Sequence, residues 1–362
     1  MIVGGDPERR GVVSSASYEA REFGVHAGMP LSRARRLCPQ ATFIQANFSR
    51  YRDASARFME ILAAFSPSIE PLGIDEAYLD VTGYEQPYGS PRKLALTIKQ
   101  QIHQELKVTA SIGIATCKVI AKIASGSCKP DGLLEIAPGK EQDFLNPLPV
   151  ARLPGVGEKT EQALKQLGIS TIGEFASLPP EVVKEHLGKF GIAVHSHARG
   201  IDDRRVEAPG ETKSISQEVT FARDTLDRHF LEANLRRICQ KVGSELRSRH
   251  KQAGCVTLKL RYADFSTITR QTPLKAAANS DVAIFATASQ LLNKVLAQDA
   301  RLVRLIGVRV SNLVGREKQL DMFDSKAKRV ENLNRAIEEI RKKYGQAAIT
   351  TGSKQEGPGA YQ

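Results

Sequence analysis

The 362-residue sequence contains no run of about 18 consecutive apolar residues, so no transmembrane helix is expected. Its start, Met1-Ile2-Val3-Gly4-Gly5-Asp6, has neither a basic n-region nor an apolar h-region, and no signal peptide is expected. Cysteine is scarce. The five residues Cys38, Cys117, Cys128, Cys239 and Cys255 are odd in number and form no C-x-x-C pair, which argues against a disulfide framework and a zinc site. They are expected to be reduced, mostly buried thiols in a cytoplasmic protein. His186, His195 and His197 lack an acidic or cysteine partner at metal-ligand spacing and read as surface groups, as does His26.

What the chain has in excess is positive charge. Net charge is +12 and the pI is near 9.5, on an ordinary globular background of 41% hydrophobic and 25% charged residues. A polyanion is the implied partner, nucleic acid first and an anionic membrane surface second. The charge is not evenly spread. Residues 212–316 hold 18 Lys and Arg against 8 Asp and Glu, leaving about +2 for the rest of the chain. Such a surplus supplies sequence-independent, salt-sensitive binding to a phosphate backbone. The length allows two to four small domains.

Pattern divides the chain further. Ser17 can cap a short helix ending at Gly24, on which Tyr18 and Arg21 lie three apart and share a face. A helix is expected over residues 51–65 and another after Ser90-Pro91, carrying Leu94, Ile98 and Ile102. Strands are expected at 77–81, 108–115 and 133–136, with a helical stretch at 118–124, which makes an α/β-type layer with one face covered by helices. By default the lysines of that stretch form a solvated face, a reading kept for Lys118. Between the second and third expected elements lies Pro71-Leu72-Gly73-Ile74-Asp75-Glu76-Ala77. Strand side chains alternate faces, so Asp75 and Glu76 reach one site only if a turn or twist separates them. Adjacent acids at a strand end suit a hard cation that takes oxygen ligands and borrows the rest from water and phosphate.

Further on, Leu153-Pro154-Gly155-Val156-Gly157-Glu158-Lys159-Thr160 leads into a helix and fits a helix-hairpin-helix, whose Gly-x-Gly turn offers backbone amides to a DNA phosphate. Asp202–Thr212, polar and containing Pro209-Gly210, reads as a linker. From Lys213 onward the pattern is β-α-β-β-α-β. Gln319-Leu320-Asp321-Met322-Phe323 then sets apolar anchors in a polar tail, suited to a partner's apolar pocket. An amphipathic helix follows over residues 330–345, and the end of the chain is expected to be disordered.

Taken together, these motifs resemble the Y-family (translesion) DNA polymerases, in particular their bacterial polymerase IV group, over nearly the whole chain. The acidic stretch is similar to the family's second carboxylate motif, usually Ser-Ile-Asp-Glu, with Gly73 in place of the Ser. The resemblance implies an α+β, multidomain right-hand polymerase: fingers at 1–47 with a remnant of the palm edge, a ferredoxin-like palm at 48–137 and a helix-hairpin-helix thumb at 138–202. A linker at 203–212, a little finger at 213–315 and a tail at 316–362 complete it. It implies that Asp75 and Glu76 hold Mg²⁺, two ions per active site, and that Tyr18, Arg21 and Lys129 (in the Lys129-Pro130-Asp131-Gly132 turn) contact the triphosphate of a deoxynucleotide. Gly155, Gly157, Lys159 and Lys213 would touch primer-template DNA. Gln319, Leu320, Met322 and Phe323 would dock on a sliding clamp, with the polymerase itself a monomer. Lys122 matches a family lysine without an assigned ligand. The family usually has Pro-Asn before the Lys118 helix; Thr116-Cys117 departs from that.

The family normally begins with a strand bearing another metal-binding Asp and an aromatic steric gate. No Asp-x-Asp-aromatic sequence precedes Val12. The resemblance therefore implies a loss of about 35–40 residues, through a misassigned start, a fragment or a real truncation. Two expectations follow: a low-fidelity template-directed polymerase using two-metal nucleotidyl transfer, or a catalytically silent, clamp-tethered DNA-binding accessory protein. A helix-hairpin-helix nuclease or ligase lacks its adenylation lysine or flipped-base signature here.

Overall fold

The computed structural model describes residues 1–83, 86–315, 336–337, 339–340, 343–345 and 348–349. It forms two compact units, Met1–Asp6 with Val12–Gly210, and Pro7–Gly11 with Glu211–Gln362. The Gln319–Phe323 segment and most of the expected helix at 330–345 lie outside the described residues.

The first unit opens with a small sheet in which Ile2–Val3 runs antiparallel to Ser15–Ala16 and parallel to Phe43–Ile44. Helices Tyr18–Glu22 and Leu31–Leu37 pack on it around Ile2, Val13, Leu31 and Ala34. Ser17 precedes the first helix as expected, but its hydroxyl makes no cap; it accepts from the Met1 ammonium at 3.0 Å.

Helix Phe48–Ala63 starts before the apolar spacing suggests, because Asn47 caps it by accepting from the Arg50 N–H. Helix Pro91–Leu106 begins as its sequence dictates, with Ser90 accepting from Lys93 N–H and proline in the first turn. The two pack through Ile61, Leu62 and Phe65 against Leu94, Ile98 and Ile102. On this apolar surface lies the hairpin of Ile69–Pro71 and Ala77–Leu79. A second pair of strands, Ile112–Ile114 and Leu133–Glu135, is parallel and therefore needs a crossover, which helix Lys118–Ser127 provides. Gly113 lets that helix approach closely: a Cβ there would sit 2.1 Å from the Ala121 carbonyl. The expected strand at 108–115 shortens to three residues.

The same helix contributes Val119, Ile120 and Ile123 to a core shared with helices Glu141–Leu145, Glu158–Gln166, Ile172–Ala176 and Pro180–Ala198. His195 belongs to this core, contrary to the surface reading. It is 4% exposed, with Nε2 at 3.2 Å from the Ala176 carbonyl and its ring edge-on to Phe175. A histidine on the apolar stripe of an amphipathic helix is carried inward by its neighbours, here Val194 and Ala198, when one carbonyl can satisfy it.

Over residues 214–315 the second unit is one four-stranded sheet with two helices. Chain order is Ser214–Thr225, helix Arg228–Ser248, Lys251–Tyr262, Thr267–Ala278, helix Asp281–Gln298 and Val303–Gly315. This is the β-α-β-β-α-β order read from the sequence. Across the sheet the strands run Thr267–Ala278, Lys251–Tyr262, Val303–Gly315, Ser214–Thr225, each antiparallel to its neighbour. Each helical connection thus joins two parallel strands separated by a third. Both helices bury their apolar stripes on one face, through Leu235, Val242, Ile284 and Leu292 against Val256, Leu258, Ile306 and Val308.

Candidate active site and nucleic-acid interface

The two adjacent acids lie at the end of a hairpin. Pro71 pairs with Ala77, and the Leu72 N–H donates to the Glu76 carbonyl at 2.9 Å, so residues 72–76 form the tip of the hairpin. Asp75 is exposed there and Glu76 half-buried. Ala77 and Leu79 lie against the two-helix core, while Tyr78 turns to the other face. Burial pushes the Tyr78 phenol up to about 12, with Asp202, Glu70 and Glu76 adding to the effect and Arg204 opposing it.

Helix Lys118–Ser127 grips this hairpin at two points one turn apart. Lys122 Nζ lies 2.6 Å from Glu76 Oε2. Lys118 Nζ lies 2.6 Å from Glu70 Oε2, donates to the Arg205 carbonyl at 2.8 Å and stands 5.5 Å from the Tyr78 ring centroid. The solvated-face reading of Lys118 is therefore wrong: its side chain is 9% exposed. Periodicity placed Lys118 on a helix, but the acid that draws it inward is 48 residues away in sequence. Burial opposes ionisation of Glu70, yet Lys118 and the Glu207 N–H together hold its carboxyl below the ordinary range.

The polar linker is fastened to the same place. The buried Asp202 carboxylate accepts from the Val119 N–H at 3.1 Å and takes Arg204 as a bidentate partner at 2.6 and 2.7 Å. Burial raises its pKa, but the Arg204 guanidinium outweighs this and holds it below the usual value. Cys117 makes no side-chain cap, and Asp202 supplies the missing acceptor from the linker.

Tyr18 and Arg21 are both exposed on their short helix, with the Arg21 guanidinium 5.1 Å from the Tyr18 ring centroid and its Nε bonded to the Ala16 carbonyl. They stand on the first hydrophobic cluster, and the hairpin stands on another. Lys129 is exposed in the turn between helix Lys118–Ser127 and strand Leu133–Glu135. Lys122 thus links Glu76 to the helix that leads into Lys129. Gly155, Gly157 and Lys159 are exposed at the start of helix Glu158–Gln166, for which Gly157 is the N-cap. The first-turn amides there have no side-chain cap. Gly155 has φ +100, and Phe190 and Val194 close the space beside it. Lys213 is exposed immediately before its strand. On the helix-free face of the second unit's sheet, strand alternation adds Lys259, Arg261 and Arg309, which sequence reading left within a bulk surplus. The signal was available in the alternation of Val256, Leu258 and Leu260 with Thr257, Lys259 and Arg261.

Among the described residues no group of three or more His, Cys, Asp or Glu is arranged for a metal. The hairpin tip offers two hard carboxylates, which fits an ion such as Mg²⁺ that binds one or two protein carboxylates and completes its shell from water and substrate.

Three family models cover most of the chain. The impB/mucB/samB family matches residues 1–126, its C-terminal domain matches 212–322, and the family's HHH motif matches 138–169. A DNA polymerase IV of Dehalococcoides mccartyi is 50% identical over 352 residues, 97% of this chain and 90% of the relative. The chain belongs to the impB/mucB/samB family. Among solved structures, a Y-family DNA polymerase chimera of Dbh and Dpo4 aligns with a TM-score of 0.78 and 30% identity, over 87% of this chain and 92% of the chimera. The insertion ternary complex of Dbh DNA polymerase aligns at 0.58 and 29%, over the same shares. The fold is the α+β right-hand fold of Y-family polymerases, and the function is translesion DNA synthesis by a metal-dependent nucleotidyltransferase. The relatives are polymerases, and none supports the accessory reading. No helix among the described residues is long and apolar enough to cross a membrane.

Proposed function

We propose that Asp75 and Glu76 hold Mg²⁺ and that Tyr18, Arg21 and Lys129 hold the triphosphate of an incoming deoxynucleotide. The observation that supports this is the hairpin end, where Asp75 is exposed and Glu76 meets a partly exposed cation, Lys122. When bound, Mg²⁺ supplies positive charge against the phosphate oxygens. The chain's own residues position: Arg21 can take phosphate oxygens with its guanidinium fork, Lys129 as a point charge, and Tyr18 through its hydroxyl. Catalysis in such a site is positioning and charge stabilisation of attack by a primer 3′-hydroxyl on the α-phosphate, with pyrophosphate leaving.

In this reading residues 1–47 are the fingers, 48–137 the palm, 138–202 the thumb, 203–212 the linker and 213–315 the little finger. Gly155, Gly157 and Lys159 bind the backbone of primer-template DNA, as do Lys213 and the basic sheet face of Lys259, Arg261 and Arg309. Gln319, Leu320, Met322 and Phe323 tether a cytoplasmic monomer to a sliding clamp.

The test is primer extension with Mg²⁺ and four deoxynucleotides, comparing the 362-residue chain with Asp75→Ala/Glu76→Ala. Extension by the former and none by the latter is expected. Equal extension by both would remove these carboxylates from the mechanism.

A further inference from the structure

The turn that carries Lys129 is held from behind by a second lysine. Lys99 projects from helix Pro91–Leu106, and its side chain is only 14% exposed. Its Nζ lies 2.5 Å from Asp131 Oδ1 and 2.8 Å from the Asp131 carbonyl, and it also donates to the Ala110 carbonyl. The Gly132 carbonyl is a longer fourth acceptor at 3.5 Å, and an ammonium has only three donors, so these acceptors use them all. Lys99 therefore has no donor left for a phosphate; what it does is fix backbone.

The backbone it fixes is unusual. Asp131 has φ +49, a left-handed conformation that Asp tolerates better than most residues. Gly132 follows, where a Cβ would sit 1.9 Å from the Cys128 carbonyl. The Gly132 carbonyl accepts from Ile112 N–H at 3.1 Å, and its N–H donates to Ser111 Oγ at 3.3 Å. Lys99 thus stands at the entrance to both parallel strands, and its partner Asp131 lies two residues beyond Lys129 in the chain. Its hydrogen bond, against the opposing effect of burial and with help from its charge and that of His103, holds the Asp131 carboxyl below the usual range. An apolar side chain would fill this space at lower desolvation cost, but it would not dictate where these carbonyls and a carboxylate point.

We infer that Lys99 is a positioning residue for nucleotide binding: it locks the Asp131-Gly132 backbone and thereby aims Lys129 at the triphosphate. This rests on the proposed phosphate role of Lys129. The test uses the full chain on a dideoxy-terminated primer-template with Mg²⁺, reading the affinity of a fluorescent mant-dATP opposite a template thymine. DNA affinity and thermal midpoint are measured beside it. Lys99→Met removes the ammonium at similar length, and Asp131→Asn removes the carboxylate's charge, leaving only a neutral amide oxygen for Lys99, while keeping a residue suited to the left-handed φ.

Lys99→Met is expected to weaken nucleotide binding about five- to twentyfold with DNA affinity unchanged, because small displacements of a positioned group are costly. Asp131→Asn shows a smaller loss, and Lys99→Arg recovers part of it. In a Lys129→Ala background both effects disappear, since the group being aimed is gone. If Lys129→Ala alone leaves nucleotide affinity unchanged, the phosphate assignment falls and this proposal with it. If Lys129→Ala weakens binding but Lys99→Met and Asp131→Asn do not, only the positioning role is overturned. It is equally overturned if the Lys99→Met loss persists in full without Lys129. Should Lys99→Met fail to fold, Asp131→Asn decides by the same comparisons.

Discussion

Replacing Lys122 with methionine tests whether the acidic hairpin is a cation site held in reserve. Lys122 Nζ lies 2.6 Å from Glu76 Oε2, with the two side chains 38% and 45% exposed. At that exposure the pair is worth about 0.2–1 kcal/mol, and that is the most by which Lys122 can oppose a divalent ion arriving at the same carboxylate. Since 1.4 kcal/mol is a factor of ten, Lys122→Met should tighten Mn²⁺ binding to the DNA-free protein by about 1.5- to fivefold. Lys122→Arg should stay near the parent. Free and bound Mn²⁺ are distinguished by electron paramagnetic resonance, so the readout does not depend on turnover. The difference should shrink at high salt, because the Debye length falls to about 3 Å at 1 M and the repulsion is between solvent-facing charges. Glu76→Gln, which removes the ligand itself, should weaken binding. Unchanged or weaker Mn²⁺ affinity in Lys122→Met at low salt would refute the competition. Unchanged affinity in Glu76→Gln would refute the site.

Three further outcomes follow from packing and charge. His195→Ala removes a buried ring and leaves the Ala176 carbonyl without its partner, and should cost about 2–4 kcal/mol in urea denaturation; a loss under about 0.5 would contradict its place in the core. Gly155→Ala meets both a φ of +100 and neighbours at 3.1 Å, so it should destabilise by about 1–3 kcal/mol, whereas Gly157→Ala, at φ −90 in open space, should change stability little; equal effects would refute the argument. Tyr78 has its pKa raised from 10.0 to about 12, so between these values the folded state holds a proton that the unfolded state has lost. Stability should therefore fall as pH rises from about 10 to about 12, and Tyr78→Phe should flatten that fall by about 1–2 kcal/mol after allowance for solvent screening; a parallel pH curve would refute it.

Much of the fold was legible because it is local. Ser90-Pro91 announced a helix start that the structure keeps, and the β-α-β-β-α-β order of the second unit followed from alternation and helical spacing alone. What escaped was set by partners distant in sequence. Nothing near Lys118 says that it is buried; Glu70 and the Arg205 carbonyl decide that. His195 was misplaced because its satisfaction depends on one carbonyl in another helix. The linker's polar composition was legible, but Asp202 as the acceptor at the start of helix Lys118–Ser127 was not. The acidic dipeptide was visible in the sequence, while its place at the end of a hairpin required the pairing of Pro71 with Ala77.

The two lysine–glutamate pairs on one helix also show why Glu70, a third nearby acid, need not compete for a metal. Lys118 and Lys122 are one turn apart, and each meets a carboxylate of the same hairpin at 2.6 Å. Their surroundings differ. The Lys118 pair has side chains 9% and 23% exposed, and Glu70 also accepts the Glu207 N–H at 3.1 Å. Breaking a pair that buried leaves an uncompensated charge in low dielectric, which costs far more than an exposed pair ever contributes. Glu70 is therefore committed to holding helix, hairpin and linker together. The Lys122 pair faces water, where either partner can be resolvated at small cost, so Glu76 can exchange its cation while the hairpin stays anchored by Glu70. The Glu70 contribution depends on pH. With its pKa lowered, Glu70 keeps its contribution above the unfolded value of 4.5 and loses it only as pH falls through its lower folded value.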